Sequence, residues 1–137
     1  MARDCTVVSP SPPPIVWIIS TISASLILLY FSLIPEPPYI GTGLFEQDKL
    51  QHAVSLGVMA FITVRLCLAL RVSLLQSTVI GFLYATLLGG IIELLQGMVT
   101  TYRHADIFDL AADATGAFIV VIIHYFFINI KILRHKN

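Results

Sequence analysis

ELLQGMVTTYRHADIFDLAADATG, residues 93–116, places four carboxylates and one arginine between and inside two strongly apolar segments. The carboxylates belong to Glu93, Asp106, Asp109 and Asp113, and the arginine is Arg103. The apolar segments on either side are long enough to cross a bilayer, for which about 20 residues suffice. Because charge within a membrane is costly, such residues usually face other helices or a water-filled cavity and often mark a functional site.

The composition predicts an integral membrane protein. Of 137 residues, 57% are hydrophobic and 12% charged, whereas soluble domains average about 25% charged residues. The formal net charge of zero gives no reason to expect binding to nucleic acid. No glycine-rich phosphate loop, GxSxG or HExxH motif occurs. Cys5 and Cys67 lack metal-site spacing and are expected to be free thiols. No cofactor is predicted.

The hydrophobic pattern predicts one all-α domain, 1–137, that forms an integral membrane four-helix bundle. The expected spans are about 15–34, 50–70, 74–99 and 106–130, and the motif-bearing core is 48–117. A proline-rich arm precedes the first span, and prolines and glycines in 35–48 predict a loop. Asp48 is the expected N-cap of the second helix.

The distribution of charge predicts the orientation. Four spans put both termini on one side, which then collects six of the eight basic residues: Arg3, Arg65, Arg71, Lys131, Arg134 and Lys136. By the positive-inside rule both termini are expected in the cytoplasm. All the acidic residues except Asp4 then lie towards the outer side.

Helical spacing predicts that polar residues of three helices meet near the outer leaflet. Asp109, Asp113 and Gly116 share one face of the fourth helix, with Asp106 one turn further out. Two further pairs stand three residues apart at similar depth: Glu93 with Gln96 on the third helix, and Lys49 with His52 on the second. Gly116 would let a neighbouring helix approach closely, and Arg103 could form bidentate pairs with the carboxylates. His124, deep in the fourth helix, is expected to be a structural hydrogen-bonding residue or a helix-end residue and not a ligand.

Three short motifs resemble those of the VanZ-like family of bacterial membrane proteins. They are DKxxH at 48–52, ExxQ at 93–96 and RxxDxxDxxxDxxGA at 103–117. The resemblance implies a multi-pass protein of the bacterial cell membrane with a role in the cell envelope, since the family takes its name from a protein associated with glycopeptide resistance. Asp113 departs from the pattern, because the family usually has asparagine there.

The leading functional hypothesis is a polar, acid-rich site at the outer leaflet, formed by helices two, three and four. It would bind or modify an envelope headgroup, a glycan or a glycopeptide drug, in contact with the lipid bilayer. Whether it catalyses a reaction, and whether the chain forms a homo-oligomer, stay open. The alternatives are a small transporter coupled to protons or cations, and a noncatalytic partner of another membrane protein.

The candidate site residues follow from this hypothesis. The candidates for acid or base catalysis are Glu93, Asp109, Asp113 and His52, since paired carboxylates in different environments can divide the acid and base roles. The candidates for ligand binding are Lys49, Gln96, Arg103 and Asp106, and Gly116 is a structural candidate. A metal site is left open, with His52, Glu93 and Asp109 as suitable ligand types.

Overall fold

The computed structural model describes residues 12–34, 44–99 and 106–134, with backbone alone for 44–48. Within these ranges the chain forms four α-helices and no strand. The helices are α1 (Pro14–Leu33), α2 (Leu44–Ala69), α3 (Leu74–Val99) and α4 (Ile107–Arg134). All four are long and apolar enough to cross a membrane. The prediction of an all-α bundle with four membrane-spanning helices is confirmed.

The predicted N-cap of α2 is wrong, and α4 ends a few residues later than expected. α2 begins at Leu44, so Asp48 lies inside the helix and is not its N-cap. No proline or glycine occurs between Gly43 and the apolar span, so nothing in that segment prevents a helix from starting early. α4 continues to Arg134, past the expected end of the fourth span at about residue 130. Cations in the last turn of a helix are favoured by its dipole, and Lys131 and Arg134 occupy that turn.

Helix α2 lies at the centre of the bundle. Like α3, it contacts all three other helices, and its contact with α4 is the most extensive one; α1 and α4 do not touch each other within the described ranges. Small side chains allow the helices to approach closely. A Cβ atom added at Gly116 of α4 would collide with the backbone carbonyl of Ala53 in α2. One added at Gly81 of α3 would lie 2.9 Å from the carbonyl oxygen of Ala60.

The turn between α2 and α3 is tight, as the sequence predicts. The backbone N–H groups of Arg71 and Val72 donate to the carbonyls of Leu68 and Cys67, which is the hydrogen-bond pattern of a Schellman motif. Arg71 adopts the left-handed conformation that this motif requires, with φ of 66°. α2 and α3 are therefore antiparallel neighbours, and the end of α3 returns to the level at which α2 begins.

The two ends of the bundle differ in charge. We call the end formed by the C-termini of α1 and α3 and the N-termini of α2 and α4 the carboxylate end, because Glu93, Asp106, Asp109 and Asp113 lie there. The opposite end, called the basic end, carries Arg65, Arg71, Lys131 and Arg134. At the basic end, the Arg65 guanidinium stacks over the Trp17 ring at 5.1 Å.

Candidate functional site

The outermost part of the carboxylate end is an ion cluster of Lys49, Asp106 and Asp109. The Lys49 Nζ atom lies 2.8 Å from Asp109 Oδ1 and 3.3 Å from Asp106 Oδ2. These side chains are partly exposed, at 31% for Lys49 and Asp106 and 13% for Asp109. The cluster joins the start of α2 to the start of α4, and it leaves Lys49 accessible to a ligand arriving from outside the bundle.

Asp106 caps the first turn of α4. Its Oδ1 atom accepts a hydrogen bond of 2.8 Å from the backbone N–H of Phe108, which is the N-cap arrangement. This hydrogen bond, with the nearby Lys49 ammonium, holds the pKa of the Asp106 carboxyl below its usual value. Asp106 is therefore an ionised member of the cluster with a structural role at the helix terminus.

Glu93 connects α3 to the beginning of α4. Its Oε2 atom accepts a hydrogen bond of 3.0 Å from the backbone N–H of Asp106. Its other oxygen, Oε1, is buried and has no hydrogen-bond partner in the described part of the chain. Among the described residues, the basic group facing Oε1 is His52, whose Nδ1 atom lies 3.9 Å away. One oxygen of Glu93 thus holds the α3–α4 connection, and the other faces into the bundle.

Beneath the ion cluster lies a group that we call the buried triad: His52 of α2, Glu93 of α3 and Asp113 of α4. His52 Nδ1 and Asp113 Oδ1 are 3.1 Å apart, within hydrogen-bond distance. All three side chains are buried, at 9%, 6% and 0% exposure in the order given. Asp113 Oδ2 is buried and has no hydrogen-bond partner among the described residues. A carboxylate oxygen without a hydrogen-bond partner in an apolar interior costs free energy. A proton or a cation bound at the triad would reduce that cost.

Gly89 provides the space for the Asp113 carboxylate. A Cβ atom at position 89 would collide with Asp113 Oδ2 and lie 2.9 Å from its Cγ atom. Gly89 belongs to a small-xxx-small pair with Ala85, a pattern that favours close helix packing in membranes. Spacing alone did not indicate the second role of this glycine. The absence of a side chain at position 89 leaves room for the Asp113 carboxylate of α4.

Gln96 and Gly116 lie outside the triad. The Gln96 amide donates a hydrogen bond of 3.0 Å to the backbone carbonyl of Ser32, which ties α3 to the end of α1. Gly116 lies at the contact between α4 and α2, one turn below Asp113. Arg103, predicted to lean over the carboxylates, lies outside the described residues.

The candidate ligand set for a metal changes in one member. The sequence suggested His52, Glu93 and Asp109, but Asp109 is engaged by Lys49 in the ion cluster. Asp113 stands in its place: one ligand atom from each of His52, Glu93 and Asp113 lies within 4.8 Å of the other two. Asp109 and Asp113 share a face of α4. Their contacts differ because they lie at different depths along α4 relative to α2 and α3.

His124 does not make the hydrogen bond that the sequence predicted for it. It is buried in α4 towards the basic end, and its Nδ1 atom has no partner among the described residues. Its ring instead packs edge-on against Phe61, with the ring centroids 5.2 Å apart. The sequence shows the histidine in an apolar helix but contains no signal for its aromatic neighbour.

The fold and these contacts define a multi-pass helical membrane protein with a buried imidazole–carboxylate triad near one membrane face. No protein-family model, curated protein or solved structure was found to match the chain. The resemblance to the VanZ-like family therefore stays a prediction, carried by the motifs at 48–52, 93–96 and 103–117.

Proposed function

We propose that this chain is a cell-envelope membrane protein whose carboxylate end binds or modifies a polar headgroup, a glycan or a glycopeptide. The observation that carries the proposal is the convergence of His52, Glu93 and Asp113 from three helices on one buried point. Two carboxylate oxygens there have no hydrogen-bond partner in the described chain. A bundle that needed only structural ion pairs would have no use for such oxygens, because they weaken it.

The ion cluster supports this proposal as the entrance to the triad. Lys49 is partly exposed and lies about one helical turn from His52 on α2. A phosphate or carboxylate group of a ligand can exchange with Asp106 or Asp109 for the Lys49 ammonium, since exposed ion pairs are weak. The ligand's remaining polar groups would then reach the triad below.

The orientation belongs to the same proposal. The basic end carries Arg65, Arg71, Lys131 and Arg134, and the positive-inside rule assigns such an end to the cytoplasm. The carboxylate end then faces the outer leaflet of a bacterial cell membrane, where headgroups, glycans and glycopeptides are found. The VanZ-like motifs favour the same location and process.

The experiment replaces triad residues in cells that depend on this protein for normal envelope behaviour. We expect Glu93→Gln and Asp113→Asn each to abolish complementation of growth under glycopeptide and detergent stress, with membrane abundance unchanged. His124→Gln, a change at a buried histidine remote from the triad, is the matched control and should complement fully. Wild-type complementation by both triad variants would overturn the proposal.

Ligand binding can be measured directly on the purified protein. Native mass spectrometry with phosphatidylglycerol, phosphatidylethanolamine and teicoplanin as probes compares the wild type with Lys49→Gln. We expect retention of at least one probe by the wild type and its loss in the Lys49 variant, since the ammonium meets the anionic group first. Equal retention of every probe by both proteins would contradict the role given to the ion cluster.

A second candidate, proton- or cation-coupled transport, is favoured by polar atoms further along the bundle interior. Thr86 Oγ1 and His124 Nδ1 are buried without hydrogen-bond partners in the described chain. Ser77 and Thr78 lie buried nearer the basic end. Together with Asp113 these groups distribute polar atoms along the length of the bundle, as transport pathways do.

Proteoliposomes loaded with a pH-sensitive dye test the transport candidate. Proton flux that responds to an imposed membrane potential in the wild type, and falls in both Asp113→Asn and His124→Gln, would support it. Because His124→Gln leaves the binding proposal untouched, the two candidates predict different results for that variant. Flux equal to that of protein-free liposomes would exclude the transport candidate.

A further inference from the structure

We propose that the buried triad holds a divalent transition-metal ion of the Zn²⁺ class, ligated by His52 Nδ1, Glu93 Oε1 and a carboxylate oxygen of Asp113. This inference deepens the proposed function and rests on it for its role, because the metal would present an open coordination position to an oxygen atom of the envelope ligand. Three protein ligands and one exchangeable position are the usual arrangement of a zinc ion that handles a substrate.

The distances within the triad are close to those that a metal needs. Zinc bonds of about 2.0–2.2 Å in a tetrahedral site put neighbouring ligand atoms about 3.3 Å apart. His52 Nδ1 lies 3.1 Å from Asp113 Oδ1 and 3.9 Å from Glu93 Oε1. One ligand atom from each of the three residues lies within 4.8 Å of the other two, so a bound ion would draw the Glu93 oxygen inwards.

The two unpartnered oxygens point independently to a ligand. Asp113 Oδ2 and Glu93 Oε1 are buried and accept no hydrogen bond from the described residues. A single shared proton would neutralise one carboxylate, and the other would then need a protonated His52 as its counter-charge. A divalent ion balances both carboxylates and bonds their oxygens, with the imidazole as a neutral third ligand.

The surroundings of the triad also suit a metal site. The second oxygen of Glu93 is held at 3.0 Å by the backbone N–H of Asp106, which orients the carboxylate as outer hydrogen bonds do around metal ligands. Gly89 allows the Asp113 carboxylate to lie against the backbone of α3, since a Cβ atom there would collide with Oδ2. The first feature orients the Glu93 carboxylate, and the second sets the position of the Asp113 carboxylate.

The donor set selects the class of metal. One imidazole nitrogen and two carboxylate oxygens suit Zn²⁺, Fe²⁺ or Mn²⁺, whereas Mg²⁺ and Ca²⁺ prefer sites built from oxygen alone. Cys67 is buried 15 residues further along α2, roughly 22 Å from His52 along the helix axis, so it cannot supply a thiolate. Zn²⁺ binds most tightly of the three in a site of this kind.

The test is a metal titration of full-length protein in detergent micelles, stripped with a chelator and measured without added lipid. We expect Zn²⁺ to bind with one ion per chain by calorimetry, and Co²⁺ to give the visible absorption bands of a low-symmetry site. Glu93→Gln, Asp113→Asn and His52→Gln should each weaken Zn²⁺ binding at least tenfold. His124→Gln should bind Zn²⁺ as the wild type does.

The outcomes separate this inference from the proposed function. Absence of Zn²⁺ and Co²⁺ binding by the folded wild type, or binding unchanged in all three triad variants, would overturn the metal site. Circular dichroism and size-exclusion profiles establish whether each variant is folded. If a variant does not fold, the titration of the wild-type protein still tests the metal site. Retention of phosphatidylglycerol or teicoplanin by the metal-stripped protein would leave the proposed function standing where the metal inference fails.

Discussion

Asp113 is a fully buried acidic residue whose carboxylate is only partly satisfied by the described residues. It is fully buried, its Oδ1 atom meets His52, and its Oδ2 atom lies beside Gly89 with no hydrogen-bond partner among the described residues. A carboxylate in this position reduces the stability of the apo protein, as functional groups often do. Asparagine, with a neutral side chain of the same shape, would remove that cost together with the proposed metal ligand.

Replacement of Asp113 by asparagine should therefore stabilise the metal-free protein. We expect Asp113→Asn to raise the free energy of unfolding by about 1 kcal/mol or more, because removal of an uncompensated buried charge is favourable. The apparent melting temperature in detergent with chelator present would rise by several degrees. A marked fall in melting temperature would show instead that the carboxylate is a structural element of the bundle.

The carboxyl group of Asp106 should make the stability of the protein depend on pH. Because the pKa of its carboxyl is lowered in the folded protein, Asp106 contributes stability that is fully present above the usual aspartate pKa of about 3.9. That contribution is lost as the pH falls through the lower folded-state value. Thermal unfolding of wild type and Asp106→Asn between pH 7 and pH 3 measures it.

The expected result is a steeper acid-induced loss of stability in the wild type than in the Asp106→Asn variant. The asparagine keeps a side-chain oxygen for the helix cap, so the comparison isolates the charge. Parallel curves for the two proteins would mean that Lys49 and the Phe108 N–H do not favour the ionised carboxyl.

At the scale of elements, the contact between α2 and α4 sets the geometry of the site. Gly116 lies against the backbone of Ala53, next to His52 in α2 and three residues after Asp113 in α4. The obstacle to a larger residue at 116 is main chain, which no rotamer change can move. The distance between His52 and Asp113 therefore depends on the close approach of the two helices at Gly116.

Gly116→Ala should force α2 and α4 apart and weaken the triad. We expect a loss of about 1–3 kcal/mol in the free energy of unfolding, which is typical of overpacking, together with loss of Zn²⁺ binding. Gly90→Ala on α3 is the matched control, because its Cβ would lie at an ordinary 3.7 Å from Leu110. Detergent unfolding followed by circular dichroism measures both variants, and equal stability would contradict the close approach at Gly116.

At the scale of the whole molecule, charge separates along the axis of the bundle. The acidic side chains of the described residues lie at the carboxylate end, and the cations there are limited, within the same residues, to Lys49. In a membrane this difference in charge between the two ends would orient the bundle relative to the two faces of the bilayer.

Reporter fusions test the proposed orientation. Green fluorescent protein fused after Asn137 should fluoresce, and alkaline phosphatase at the same position should be inactive, because both report a cytoplasmic C-terminus. Alkaline phosphatase inserted at 100–105 should be active outside the membrane. The reverse pattern would place the triad at the cytoplasmic face and rule out ligands confined to the outer leaflet.

Much of this architecture follows from the sequence by itself. Four apolar segments of spanning length leave no fold in a bilayer except a helical one, because only internal hydrogen bonds can satisfy the backbone there. The spacing of Asp109, Asp113 and Gly116 places them on one helix face, and the positions of His52 and Glu93 in their spans bring all of them to similar depth. These are local properties of the chain.

Only the tertiary structure divided the carboxylates between two tasks. Asp109 and Asp113 have the same residue type and helix face, yet Asp109 pairs with Lys49 while Asp113 reaches His52. The division depends on how far α4 slides and rotates against α2 and α3, which the contacts at Gly116 and Gly89 determine. Residues 93–116 contain the acidic side chains, but packing between helices that are distant in sequence decides which of them is buried without a partner. Helical periodicity specifies which residues share a helix face. It does not specify which helix packs against that face.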